Sequence, residues 1–135
     1  MIMSIRESIA SYFLEVLAFL AIFFSELAAA LYAIGFLIMA DTFLGIWAAK
    51  HVGGWEAITS RKAGRIVAKF ILYPLAIIVA KVSEQYLSPA IPWIDVTTGI
   101  IATVEVKSIF ENSSIILGYD LWDKIKKAIW KDKPK

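Results

Sequence analysis

Residues 12–49 are apolar almost throughout, a run of thirty-eight positions broken by charge only at Glu15, Glu26 and Asp41. A membrane-spanning helix needs about twenty apolar residues to cross roughly 30 Å of hydrocarbon, so this run is too long for one crossing and about enough for two. One reading divides it into segments at about 9–25 and 27–49, joined by a tight turn near Ser25 and Glu26. The other keeps about 9–50 as one long helix that projects beyond the bilayer or lies partly along it. Glu15 and Glu26 stand eleven residues apart, three near-complete helical turns, so an unbroken helix sets both on one face with Ala18 and Ile22.

The second segment ends at Lys50, His51, Val52 and the Gly53-Gly54 pair, a clear stop signal. The stretch after it carries Lys50, Arg61, Lys62, Arg65 and Lys69 against the single acid Glu56, which marks it as cytoplasmic by the positive-inside rule. A third apolar segment at about 65–82 holds Pro74 near its centre, where the missing backbone donor favours a kink. The connection that follows contains Glu84, Pro89 and Pro92, with no base after Lys81, and suits the opposite side of the membrane; Trp93 is placed as an interfacial anchor. A fourth segment at about 91–110 is the least hydrophobic, with Asp95, Thr97, Thr98, Thr103, Glu105 and Lys107, so one of its sides must face protein or water.

Residues 119–135 hold six lysines and three aspartates, while Leu121, Trp122, Ile125 and Ile129 share one helical face. That pattern predicts a basic amphipathic helix on the cytoplasmic leaflet, in contact with anionic lipid, with a small soluble packing face as the alternative. The predicted fold is an all-α integral membrane protein, one domain over residues 1–135, with three to four transmembrane helices and this C-terminal amphipathic helix, assembling as a homo-oligomer. Four crossings put both termini inside. If the first segment lies in the interface, the count falls to three and the N-terminus moves outside.

Composition sharpens the class: 59% of residues are hydrophobic and 19% charged, with a mean hydropathy of +0.70, well above a soluble domain. The net charge of +2 comes from two basic clusters and reports topology and lipid contact rather than nucleic-acid binding. Without cysteine there is no disulfide or thiol chemistry, and the lone His51 leaves too few nitrogen and sulfur ligands for zinc. His51 itself reads as an interfacial residue, with a pH sensor as the alternative. No phosphate-binding glycine loop and no supported Ser, His and Asp constellation is present, so the chain is not read as an enzyme and no cofactor is expected. Arg6 before an apolar stretch and the Ala28-Ala29-Ala30 run suggest a cleavable signal, but Glu26 just before that site and the return of the apolar run through Met39 favour uncleaved insertion.

Candidate chemistry lies in the intramembrane acids. A carboxylate at that depth costs several kcal/mol and persists only where a partner, a water-filled cavity or another subunit receives it. For Glu15 and Glu26 the competing reading is a position near a helix end, in the headgroup layer. Near the end of the fourth segment Glu105, Ser108 and Asn112 fall on one helical face, with Glu111 beside Ser108. Such a face suits hydrogen bonding between helices or subunits. An ordinary solvated helix end is the alternative.

The sequence Glu105-Val-Lys-Ser108-Ile-Phe-Glu111-Asn112, with Gly118 six residues on, resembles the signature of the toxin secretion/phage lysis holin family. Asp41, Gly45, Ala49 and Lys50 match its pattern near the end of an early span, and Ser60, Gly64 and Lys69 match its basic loop. The resemblance covers about 41–118. It departs at Tyr119-Asp120, where similar proteins often have prolines, and at Glu84, where Asp is commoner, and it does not extend to Glu15 and Glu26. It implies a protein of the host bacterial cytoplasmic membrane that assembles into a pore or lesion releasing a cell-wall-degrading enzyme or, in some relatives, a large toxin. The residues expected to serve assembly or the pore are Asp41, Gly45, Glu105, Ser108, Glu111, Asn112, Glu26 and Glu15, with Gly35, Ala40, Gly45 and Ala48 allowing close helix approach. A non-lytic membrane scaffold that docks a soluble partner is a second reading, and a small ion channel or transporter a third, disfavoured because no inverted repeat or pair of broken helices is evident.

Overall fold

The computed structural model describes residues 5–57 and 60–130, with side chains from Ser8 to Glu56 and from Ala63 to Trp130. The tail lysines Lys131, Lys133 and Lys135 lie outside the described residues, and so do the side chains of Arg6, Arg61 and Lys62. Four α-helices follow in order: α1 (Ile5–Gly53), α2 (Ser60–Val82), α3 (Trp93–Leu117) and α4 (Leu121–Trp130). A short 3-10 turn, Trp55–Ala57, joins α1 to α2, and a π-turn, Ser83–Leu87, continues the end of α2.

Of the two readings of the first apolar run, the unbroken helix is the one observed and the turn near Ser25 and Glu26 is absent: α1 is one helix of 49 residues, about 73 Å long at 1.5 Å per residue. No proline lies in this stretch. The Ser25 hydroxyl donates back to the Ile22 carbonyl of its own helix at 2.7 Å and leaves the helix unbroken. Glu26 is an interruption in hydropathy only, because its charge meets Lys81 of α2 in an ion pair. The helix stops where glycine permits it, at Gly54 with φ of +67°, whose N–H donates to the Lys50 carbonyl at 3.0 Å. Lys50 then lies over the Trp55 ring, 4.6 Å from its centroid.

Pairing of Glu26 with Lys81 and of Asp41 with Lys69 makes α1 and α2 antiparallel. Contact of Lys69 with Glu105, and of Glu84 with the start of α3, makes α2 and α3 antiparallel as well, so α1 and α3 run parallel. The core of this three-helix unit is Leu27, Ile34 and Ile38 of α1, Ile77 of α2 and Ile101 of α3. Leu27, Ile34 and Ile38 recur at spacings of seven and four and so share one stripe of α1. Only the C-terminal half of α1 contributes. Between Ile9 and Glu26 nearly every side chain is exposed, Tyr12, Phe13, Leu14 and Phe19 among them, and α1 leaves the bundle as an uncovered apolar arm.

By length and composition α1 and α2 are able to cross a membrane, over Ser8–Gly53 and Ala63–Leu87. Pro74 lies inside α2, and the helix continues past it to Val82. The Glu84 carboxylate accepts from the Ile94 N–H at 3.1 Å, placing negative charge where the first turn of α3 has unpaired donors. Glu84→Ala is expected to lower stability by about 1 kcal/mol, as loss of an N-terminal cap does, and urea or thermal unfolding in detergent measures it. α3 runs beyond the predicted 110 to Leu117 and ends at Gly118, φ +73°, whose N–H donates to the Ser114 carbonyl. A Cβ there would meet open space, so Gly118→Ala should cost about 1 kcal/mol through backbone strain alone, read in the same assay.

Helix α4 is short and amphipathic as expected. Trp122 packs on Phe110 with ring centroids 5.8 Å apart, Leu121 and Ile125 are half-buried, and Ile129 is exposed. The Asp123 carboxylate, 2.6 Å from the Lys127 ammonium, holds that amine above the usual lysine range through its hydrogen bond and its charge.

Candidate functional site

Three helices converge on one polar cluster inside the apolar bundle. Asp41 projects from α1, Lys69 and Tyr73 from α2 one turn apart, and Glu105 and Asn112 from α3 two turns apart. Lys69 donates to Asp41 Oδ2 at 2.7 Å and to Glu105 Oε2 at 2.8 Å. Tyr73 donates its hydroxyl to Glu105 Oε1 at 2.8 Å, and Asn112 donates Nδ2 to Asp41 Oδ1 at 2.9 Å. All four carboxylate oxygens are therefore engaged. Glu105 is fully buried and Asp41 nearly so, with 8% of its surface exposed.

In formal charges the cluster sets two carboxylates against one ammonium and carries one negative charge in excess. Burial of charge this deep is repaid only when geometry is good and the remaining lone pairs are met by donors. Tyr73 and Asn112 supply those donors. The cluster also ties together all three helices of the unit, since each bond to Lys69 or Asn112 crosses from one helix to another.

Helix approach at the cluster depends on Gly45. A Cβ built there would lie 3.3 Å from Asn112 Nδ2, tighter than ordinary contact, so the missing side chain lets α1 come near enough for Asn112 to reach Asp41. Gly35, expected to serve the same purpose, has nothing within 4 Å of such a Cβ. Ala48 is buried and Ala40 half-buried.

Of the residues singled out in the sequence, Asp41, Gly45, Glu105 and Asn112 meet at this point, and Ser108 lines a cavity beside it. Asp41 and Glu105, expected at subunit contacts or a lumen, are turned within the single chain toward Lys69. Glu111 lies outside the cluster: it is exposed, 3.6 Å from Lys107 on its own helix. Glu26 sits at the opposite end of the bundle with Lys81. Glu15 sits on the arm and accepts from Ser11 Oγ at 3.3 Å; the unbroken helix keeps it on one stripe with Glu26. Sequence reasoning assigned Lys69 only to the basic loop and passed over Tyr73 and Lys81. No local signal marked them: Lys69 falls within the predicted segment at about 65–82 as one of several bases near its start, and Tyr73, one turn deeper, reads as packing. Among the described residues, no group of three acids or histidines is arranged to hold a metal ion.

No curated protein and no solved structure matches the chain. One family matches over residues 18–131, a span that contains the whole cluster and Glu26 but not Glu15, and that is wider than the 41–118 stretch carrying the sequence resemblance. That family is the bacteriophage holin family, and with most of its length matched the chain belongs to it.

Proposed function

We propose that the protein is a membrane-lesion former: copies accumulate in the cytoplasmic membrane of the bacterial host, associate, and open to release a cell-wall-degrading enzyme. The observation that carries this reading is the cluster of Asp41, Lys69 and Glu105, a polar junction with net negative charge hidden among apolar helices of a holin-family chain. In the isolated chain the acids satisfy one another through Lys69. An oligomer that parts α1 from α2 and α3 would turn the same side chains to water, which solvates separated charges far better than lipid does. The buried cluster thus stabilises the closed form and suits the lining of an open one.

In this reading α1, α2 and α3 cross the bilayer, the α1–α2 connection flanked by Lys50 and Arg65 and the C-terminal helix face the cytoplasm, and the lysines of α4 contact anionic lipid. Expression in bacteria with and without a cytoplasmic muralytic enzyme tests it: abrupt lysis is expected only with the enzyme. Steady growth in both cultures would instead favour a non-lytic scaffold. Asp41→Asn and Glu105→Gln each remove the excess negative charge while keeping an oxygen acceptor, and each is expected to shift lysis timing. Unchanged timing in both removes the cluster from the mechanism.

A further inference from the structure

Beside the cluster, at the end of the bundle nearer the basic loop, lies a cavity of about 350 Å3. Its walls include Asp41, Thr42 and Gly45 of α1, Arg65 and Lys69 of α2, and Ser108 of α3. The charges on these walls are unmet in opposite senses at opposite places. On the inner wall, Asp41 belongs to a cluster with one negative charge in excess, and Lys69 has committed its contacts to two carboxylates. One helical turn from Lys69 toward the loop, Arg65 is exposed and has no ion-pair or hydrogen-bond partner among the described residues.

A simple anion in this cavity would meet Arg65 and be repelled by the cluster, and a simple cation would meet the reverse. A zwitterion with its positive end inward and its negative end at the mouth satisfies both. We infer that the cavity binds a phosphoethanolamine group, the headgroup of a zwitterionic phospholipid, with its ammonium directed to Asp41 and its phosphate to Arg65.

Capacity for both ends is present. Each Asp41 oxygen accepts one hydrogen bond, Oδ1 from Asn112 and Oδ2 from Lys69, and a carboxylate has about four acceptor sites in all. The guanidinium fork of Arg65 matches phosphate oxygens in pairs. The hydroxyls of Thr42 and Ser108 have no partner among the described residues and are free to bond the phosphate or glycerol ester oxygens. Ile46 and Ile66 flank the same opening and give an acyl chain an apolar path away from it. Arg65 is also at the right height: an arginine near the end of a span reaches naturally to the phosphate layer.

The headgroup chemistry is shared by the lipid and by soluble O-phosphoethanolamine, and native mass spectrometry of the full chain in detergent separates them. With equal phosphatidylethanolamine and phosphatidylglycerol, the ethanolamine lipid should be retained in preference, and Arg65→Gln should weaken that retention about tenfold, as loss of a charge-assisted hydrogen bond does. Ser108→Ala should weaken it less. If instead only O-phosphoethanolamine binds, dependent on Arg65 and in preference to inorganic phosphate, the ligand is the free compound. The proposal is overturned if neither compound shows Arg65-dependent binding, or if phosphatidylglycerol is retained equally well. This assay reads lipid retention alone, so its outcome is independent of whether the protein lyses cells.

Discussion

Lys69→Met is expected to be the most damaging single substitution in the chain. It removes the only cation of the cluster and leaves Asp41 and Glu105 facing each other across an apolar interior, a formal change from one excess negative charge to two. Breaking a buried ion pair by deleting one partner costs about 3–5 kcal/mol, because the survivor keeps its desolvation penalty without its partner. Lys69 retains 25% of its side-chain exposure, which admits some water to the survivors and places the expected loss near the lower bound, about 3 kcal/mol. Glu105→Gln changes the charge in the other direction. It leaves a neutral Asp41–Lys69 pair; the amide oxygen still accepts from Tyr73, but the NH2 that replaces Oε2 cannot accept from Lys69, so the cost should be that of one lost charge-assisted hydrogen bond, about 2 kcal/mol. Thermal unfolding in detergent, run on both variants and the parent, measures the difference. If Lys69→Met is no worse than Glu105→Gln, the charge balance assigned to the cluster is wrong.

Gly45→Leu is expected to be the second largest. Its side chain would enter the contact between α1 and α3 where even a Cβ lies 3.3 Å from Asn112 Nδ2. Relief requires Asn112 to swing away, which breaks its bond to Asp41 and removes a donor from a buried carboxylate. Overpacking of this kind costs about 1–3 kcal/mol, and the lost bond brings the total toward the upper figure. Gly45→Ala makes an instructive contrast. The atom it meets is the end of a side chain able to shift by a few tenths of an ångström, and alanine gains about 1 kcal/mol over glycine in a helix interior. Alanine at this position should therefore be close to neutral in the same measurement, and a loss as large as leucine's would show that the backbone approach, not Asn112, is the constraint.

Much of this arrangement was legible in the chain before any coordinates. The apolar runs predicted an all-helical protein, the Gly53-Gly54 pair and the Pro89 to Pro92 connection marked two of the ends, and the helical spacing of Glu105 and Asn112 put them on one face. What could not be read was which cation answers the acids. Lys69 is 28 residues from Asp41 and 36 from Glu105, and nothing local in a basic loop distinguishes the lysine that turns inward from those that stay in water. Tyr73 was invisible for a related reason: a tyrosine in an apolar helix looks like packing until a carboxylate is seen opposite its hydroxyl. That the sequence left a turn at Ser25 and Glu26 open beside the unbroken helix has a different cause. Hydropathy registers a charge as an interruption, whereas the backbone registers only residues that block its hydrogen bonds, and neither serine nor glutamate does.

Continuity of α1 sets a problem in geometry for any flat bilayer. To hold a straight rod of about 73 Å within roughly 30 Å of hydrocarbon, its axis would have to lean about 65° from the membrane normal, beyond the 0–40° that spanning helices adopt. Leaning cannot reconcile the two lengths while the bundle stands upright. The arm from Ile9 to Glu26 is itself close to one bilayer thickness, about 27 Å, and apolar on every side but the stripe of Ser11, Glu15 and Glu26, so wherever it leaves lipid its exposed phenylalanines and leucines meet water. In a chain that crosses the bilayer as proposed, local membrane thickness and curvature would act on α1 as mechanical loads, and the place where the arm meets the bundle is built from Phe23, Leu27 and the Glu26–Lys81 pair.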